Sequence, residues 1–181
     1  MHHILVTLAL MSAISSPPSG KAIPRPTISK RAPIAAIFRP LPRRIKRKTD
    51  IPVLLPSELP PIWKKYRLYS YSEAEANVWK ITVGTEPNCG VNVCLVGYLE
   101  AKRGEEPPKP DEVDKVVRLV KGIKGYYDGK SCGGSCTPPQ ISWVYEGLLY
   151  SIQFRVESKS ESGDEAWIIR MANSAIINGP R

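Results

Sequence analysis

Hydrophobic and polar positions alternate along three parts of the chain, and this alternation predicts β-strands. The alternating runs cover residues 78–83, 141–145 and 148–156, and a period of two is typical of a sheet with one buried face. Glu146-Gly147 lies between the second and third runs, which predicts that these two form a hairpin. An antiparallel sheet of about five strands is therefore expected. Less regular runs supply the other strand candidates: 66–71, 92–99 and 115–123.

The C-terminal segment predicts a single helix. Ser162 with Glu165 three residues later fits an N-terminal capping box, and Gly179-Pro180 predicts the end of the helix. An antiparallel sheet with this helix packed on its apolar face is an α+β fold, which is the expected class. Apolar residues at helical spacing form the expected buried stripe: Ile168, Met171, Ala172 and Ala175, joined by Trp167.

The segment ahead of this domain has a different composition. Eleven of the 18 prolines lie between residues 17 and 61, where no period of two or of 3.6 is sustained. Proline favours extended backbone and removes a hydrogen-bond donor. We therefore expect residues 16–50 to be a disordered, basic, proline-rich linker, followed by a disulfide-stabilised domain at 51–181.

The N-terminus predicts export. Residues 4–14 are an apolar run that suits the hydrophobic region of a signal peptide and is too short to cross a bilayer of ~30 Å. Small residues at Ala13 and Ser15 predict cleavage after Ser15, so residues 1–15 are expected to be a signal peptide. The sequence after this point contains no apolar run long enough to span a membrane. We expect a periplasmic or extracellular protein with no membrane span after cleavage.

Positive charge is concentrated in the linker. Residues 21–48 carry ten Lys or Arg and no acid, whereas residues 50–181 carry 16 basic and 17 acidic side chains, a net charge of −1. The formal net charge of +9 is therefore a property of the linker, which could contact an anionic envelope component such as phospholipid, lipopolysaccharide or a cell-wall polymer. The alternative is a solvated linker with no contact. Nucleic acid is not expected as a partner of an exported protein. The densest basic run is the candidate contact: Arg43, Arg44, Lys46, Arg47 and Lys48.

The four cysteines form two closely spaced pairs, Cys89 with Cys94 and Cys132 with Cys136. Three connectivities are possible, and local pairing is favoured because few residues must be brought together. A long-range bridge would constrain the unfolded chain more, by about 4 kcal/mol against roughly 2 kcal/mol for a local one. Zinc is disfavoured, because the spacings depart from the usual two-residue knuckles and the protein is expected to be exported. A redox pair normally has two residues between its cysteines, and Cys132 and Cys136 have three.

Six sequence landmarks follow one another along the expected domain. They are Ile51-Pro52-Val53-Leu54-Leu55-Pro56, the Cys89/Cys94 pair, Gly125-Tyr126-Tyr127, the Cys132/Cys136 pair, Trp143 with Gly147 and Tyr150, and Met171-Ala172-Asn173-Ser174-Ala175. In this order they resemble an uncharacterised family of small exported cyanobacterial proteins. They are also similar, more distantly, to a bacterial extracytoplasmic domain of unknown function that occurs beside anti-sigma-factor and sporulation proteins. The resemblance spans residues 51–178 and implies an exported α+β domain without a catalytic residue.

Few catalytic chemistries fit the domain. The two histidines are His2 and His3, inside the expected signal peptide, which disfavours histidine-dependent nucleophilic sites and His-ligated metals. Acids such as Glu146, Glu157 and Asp164 are better explained as a turn residue, a strand end and a helix cap. We expect a binding module that is not an enzyme and has no cofactor or metal, with an envelope component or a partner protein as ligand. The alternative is a thiol-disulfide redox protein that uses Cys132 and Cys136.

Overall fold

The computed structural model describes residues 34–133 and 135–181. The predicted signal peptide, 1–15, and the first part of the predicted linker, 16–33, lie outside the described residues. Within the described part, two α-helices and four short 3-10 helices accompany nine strands. The helices are α1 (Leu41–Ile45) and α2 (Glu161–Asn178), with 3-10 turns at Ala36–Phe38, Pro61–Lys65, Pro110–Glu112 and Val120–Gly122. The strands are β1 (Tyr69–Glu75), β2 (Val78–Gly84), β3 (Leu95–Arg103), β4 (Lys115–Arg118), β5 (Lys124–Asp128), β6 (Ser131–Cys132), β7 (Cys136–Thr137), β8 (Gln140–Tyr145) and β9 (Leu148–Phe154).

Seven of these strands form one antiparallel sheet in the order β1-β2-β3-β9-β8-β5-β4, and β6 and β7 form a small separate hairpin. The predicted class, α+β with an antiparallel sheet and a C-terminal helix, is confirmed, and the sheet is larger than expected. The extent predicted for the strand at 115–123 is wrong. The chain leaves the sheet after Arg118, reverses through Lys121 (φ 58°) and Gly122 (φ 72°), and returns as β5.

The hairpin predicted from alternation is present as β8 and β9. Glu146 and Gly147 connect the strands, with φ values of 52° and 75°. Two consecutive residues at positive φ are typical of the type I′ turns that match the twist of a hairpin. Glycine takes this conformation without steric cost, whereas Glu146 adopts it because the paired strands on both sides fix the turn.

One face of the sheet forms the core, where aromatic side chains of neighbouring strands lie in one row. Cross-strand register places Trp79 opposite Ala101, Ala101 opposite Tyr150, and Tyr150 opposite Trp143. The small side chain of Ala101 leaves room for the two rings beside it. The Tyr150 ring therefore stacks on Trp143 at 5.8 Å and meets Trp79 edge-on at 6.2 Å. All three rings are almost fully buried.

Helix α2 covers part of this face. Its predicted stripe is confirmed, since Ile168, Met171, Ala172 and Ala175 are all fully buried, and Trp167 packs against the core while partly exposed. The predicted N-cap, Ser162, is wrong. Ser160 caps the helix, and its Oγ accepts a hydrogen bond from Gly163 N at 3.2 Å. Serines at 158, 160 and 162 offer three possible caps, and the sequence pattern alone does not distinguish them. The helix ends at Gly179, as predicted.

Residues 51–56 cross the core without regular secondary structure, and their apolar side chains are buried. A buried irregular segment must find partners for its backbone carbonyls. Pro52 O accepts from Trp79 Nε1 at 3.3 Å and from Tyr150 Oη at 2.9 Å. Leu55 O accepts from the side chain of Asn178 at 3.3 Å. Side chains from the sheet and from α2 therefore stabilise this segment.

The predicted boundary between linker and domain, at residue 50, is wrong. Residues 34–50 are folded onto the domain, and Phe38, Leu41 and Ile45 are each at most 1% exposed in the common core. Backbone and side-chain hydrogen bonds anchor the segment, among them Ser70 Oγ to Ile37 O at 2.8 Å and Thr49 Oγ1 to Ala76 O at 2.9 Å. The prolines permit this, because they lie at the N-cap and in the first turn of α1, where a helix needs no proline N–H.

Candidate functional site

The five basic residues predicted to contact an anionic surface are displayed by a folded element. Arg43 and Arg44 lie in α1, and the others lie in the turn that follows it. All five side chains are exposed, and we call them the basic surface: Arg43, Arg44, Lys46, Arg47 and Lys48. None of them takes part in an ion pair with another residue of the described chain. Their charge is therefore open to an external partner.

The burial of Leu41 and Ile45 fixes the basic surface in place. These two side chains are four residues apart and occupy the inner side of α1, so the intervening and following basic residues face solvent. Thr49 ends the segment with a side chain that donates to Ala76 O and accepts from Ile51 N. The basic surface is thus held at both ends by contacts to the domain.

A groove of about 880 Å³ separates the basic surface from the edge strand β1. Arg44, Arg47 and Lys48 line one side of it, and Glu73 and Glu75 line the other. The carboxylates moderate the positive potential on that side of the groove. A ligand that binds by charge is therefore expected to lie along α1 and its turn, away from β1.

The bridge between Cys89 and Cys94 is buried and serves the fold. The two residues are 4% and 5% exposed, and Tyr71 Oη donates to Cys89 O at 2.9 Å. Gly84 lies against this bridge, since a Cβ added there would be 2.5 Å from the Cβ of Cys89. The local pairing predicted for these cysteines is present in the structure.

The bridge between Cys132 and Cys136 has the opposite surroundings. It joins β6 to β7, and both cysteines are exposed. Cys136 lines a cleft of about 270 Å³, in which Lys130 and Arg155 balance the acids Glu157 and Asp164. The residue Glu157 has φ 50°, an uncommon conformation for a residue with a side chain. The two disulfides of this protein therefore differ in solvent access.

Asp164 and two of the landmark tyrosines, Tyr127 and Tyr150, are buried in the fold. Asp164 is buried in the first turn of α2, where Oδ1 accepts from Ser158 N at 2.9 Å. Tyr127 and Tyr150 are core residues, whereas Tyr126 is on the solvent side of the sheet. Burial, followed by Glu165 and other nearby carboxylates, raises the pKa of Tyr127 to about 12. The burial of Asp164, Tyr127 and Tyr150 shows that these three side chains are part of the packed fold.

No helix between residues 34 and 181 is long and apolar enough to cross a membrane. In the same part of the chain, no three His, Cys, Asp or Glu side chains are placed to hold a metal ion.

The chain matches no family profile, no curated protein and no solved structure. The resemblance to exported cyanobacterial proteins therefore stays a prediction, and what can be inferred about function rests on the geometry described above.

Proposed function

We propose that this protein is an exported binding module, not an enzyme, and that its basic surface docks the folded domain on an anionic component of the cell envelope. The observation that carries the proposal is the display of five exposed basic side chains by a helix whose apolar side is buried in the core. Charges held on a folded element bind a surface without the entropic cost of ordering a flexible segment. Each basic residue near an anionic membrane contributes about 1 kcal/mol.

Binding to lipid vesicles tests the docking. The full chain is expected to co-sediment with vesicles of phosphatidylglycerol and phosphatidylcholine in equal parts, and not with phosphatidylcholine alone. The triple variant R43Q/K46Q/R47Q, which includes the two basic residues that do not line the groove beside β1, should weaken this binding by at least about tenfold, because three charges leave the surface. The amount of bound protein is measured as a function of lipid concentration and of salt.

The matched control removes the same charge from other exposed positions. The variant K64Q/K65Q/K124Q lowers the net charge equally but leaves α1 and its turn unchanged. If both triple variants lose affinity to the same degree, binding follows net charge alone and a docking role for the basic surface is wrong. If neither the full chain nor the variants bind, an anionic lipid is not the partner, and the same comparison is made with lipopolysaccharide.

A specific observation favours thiol-disulfide exchange as the second candidate function. A redox pair must be reachable by the sulfur of its substrate, and Cys132 and Cys136 are both exposed while Cys89 and Cys94 are buried. In such a reaction a substrate thiolate attacks one sulfur, forms a mixed disulfide and releases the other cysteine as a thiolate. A second substrate thiolate then resolves the mixed disulfide, so that two thiols are oxidised and the bridge is reduced.

Equilibration in glutathione buffers separates the two functions. A redox role predicts that Cys132–Cys136 is half reduced at a potential between about −120 and −270 mV, whereas a structural bridge stays oxidised down to about −300 mV or below. The fraction reduced is measured by alkylation and mass spectrometry of the full chain. The Cys89–Cys94 bridge is the internal control and is expected to stay oxidised throughout. A Cys132–Cys136 bridge that resists reduction equally would refute the redox function.

A further inference from the structure

The exposed bridge between Cys132 and Cys136 borders an apolar wall. Cys136 lines the cleft of about 270 Å³ described above, which we call the disulfide cleft. Pro138, Pro139 and Val156 form the apolar part of its lining. A sulfur that a thiolate can reach from solvent therefore lies beside surface that favours apolar groups.

The wall of the disulfide cleft is anchored to the sheet and the core. Pro139 O accepts a hydrogen bond from Phe154 N at 3.2 Å, and Arg155 N donates to Val96 O at 2.8 Å. The carbonyl of Arg155 accepts from Trp63 Nε1 at 2.6 Å. Because its wall is held by these bonds, the cleft needs little ordering to receive a ligand, which lowers the cost of binding.

Exposed apolar side chains extend this surface beyond the cleft. Asn92 lines the cleft from the ring that the buried bridge Cys89–Cys94 closes, and Arg155 Nη2 donates to Asn92 O. The residues on either side of Asn92 are the valines Val91 and Val93, which are 62% and 85% exposed. Exposed apolar groups around a concave site are typical of a surface that contacts another polypeptide.

The charges of the cleft do not select a charged ligand. Lys130 and Arg155 carry two positive charges, and Glu157 and Asp164 carry two negative charges, so the formal charge of the lining is zero. The volume is below the ~300–1,000 Å³ of sites for drug-sized ligands, and it suits one or two side chains. An uncharged apolar side chain is therefore the group that fits the cleft.

We propose that the disulfide cleft receives an apolar side chain next to the cysteine of an unfolded polypeptide, and that the thiolate of this cysteine attacks Cys136 Sγ. The inference rests on thiol-disulfide exchange, the second function proposed above, and does not depend on the basic surface. It names reduced, apolar cysteine-containing segments as the substrate class.

The attack forms a bond between the substrate sulfur and Cys136 and breaks the bond between Cys136 and Cys132, which leaves as a thiolate. A second substrate thiolate then attacks the substrate sulfur of the mixed disulfide and releases Cys136 as a thiolate. Two substrate thiols lose two electrons and their protons and become one disulfide. The bridge gains the two electrons, and its thiolates take up protons from water.

Reduction of the full chain by two cysteine peptides tests the proposal. The peptides are N-acetyl-glycyl-leucyl-cysteinyl-glycine amide and its asparaginyl counterpart, which differ in polarity and little in size. The rate of Cys132–Cys136 reduction is measured by alkylation and mass spectrometry, and it is divided by the rate of the same peptide with oxidised mercaptoethanol. We expect the leucyl peptide to react at least about fivefold faster, because its side chain leaves water in the cleft.

The outcomes separate this inference from the redox function. A preference for the leucyl peptide supports the inference. Equal rates with the two peptides would overturn it, while reduction of the bridge would leave the redox function standing. A bridge that resists both peptides would overturn the inference and the redox function together.

A substitution in the wall locates the preference. Pro138→Ser should reduce the preference for the leucyl peptide at least about twofold, because a polar side chain replaces apolar surface. Pro108→Ser is the matched control, since Pro108 is also half-buried but lies in the connection between β3 and β4. An equal loss of preference in the two variants would show that the preference does not arise in the cleft and would overturn the inference.

Single cysteine variants identify the attacked sulfur. Cys132→Ser leaves the thiol of Cys136 free, and Cys136→Ser leaves that of Cys132. Each variant is treated with the two peptides as mixed disulfides with thionitrobenzoate, whose release gives the rate. The preference for the leucyl peptide should be retained by Cys132→Ser and reduced in Cys136→Ser. An equal or larger preference in Cys136→Ser would overturn the assignment of Cys136.

Discussion

Phe38→Ala is expected to lower the free energy of unfolding by about 3–5 kcal/mol, although Phe38 lies in a proline-rich segment that reads as a linker. The side chain is fully buried in the same core cluster as the sheet and α2. Its removal would leave a cavity whose walls are rigid elements, so the site cannot collapse to fill it. Chemical denaturation of the full chain, followed by tryptophan fluorescence, measures the change.

The neighbouring residue provides the control. Arg39 is exposed and follows Phe38 directly, so Arg39→Ala should change stability by less than about 0.5 kcal/mol. Ile45→Ala, in the same segment, should cost about 2–5 kcal/mol. An unfolding midpoint for Phe38→Ala that equals that of the unaltered chain would mean that residues 34–50 are dispensable to the domain, and the basic surface would then lose its rigid support.

The sequence does not indicate that residues 34–50 are folded, because two patterns in this segment conflict. Prolines and consecutive basic residues predict an extended solvated chain, whereas Phe38, Leu41 and Ile45 are spaced as the inner side of a short helix. Proline at the N-cap and in the first turn is compatible with a helix, so Pro40 and Pro42 begin α1. A segment of this length forms a helix only when the domain binds its apolar side, and that contact is not visible in a local pattern.

The candidate sites differ in how much of them was predictable. Cysteine spacing predicted both local bridges, because ring closure depends on nearby residues alone. The unequal exposure of the two bridges depends on their tertiary position, which no local sequence pattern indicates. The groove between the basic surface and β1 forms only when residues 34–50 fold against the sheet, which brings Arg47 and Glu73 together from separate parts of the chain. Long-range pairing of this kind was accessible only from the structure.

Tyr150→Ala is expected to lower the free energy of unfolding by about 3–5 kcal/mol, because it removes a large, fully buried side chain from the core. Its ring lies between Trp79 and Trp143, and its hydroxyl donates to Pro52 O at 2.9 Å. The ring also meets Tyr145 edge-on at 6.4 Å. Loss of the ring therefore removes three aromatic contacts, each worth about 0.5–1.5 kcal/mol beyond buried area, together with a hydrogen-bond donor to residues 51–56.

Tyr150→Phe separates the hydrogen bond from the packing. This variant keeps the ring, and Pro52 O keeps its second donor, Trp79 Nε1, at 3.3 Å. Stability should therefore fall by only about 1 kcal/mol, the usual net value of one hydrogen bond. Equilibrium unfolding of both variants in denaturant gives the comparison. If both variants cost about 3–5 kcal/mol, the hydroxyl would be the main contribution and the aromatic row would be incidental. If both cost less than about 1 kcal/mol, residues 51–56 would be held mainly by contacts other than those with Tyr150.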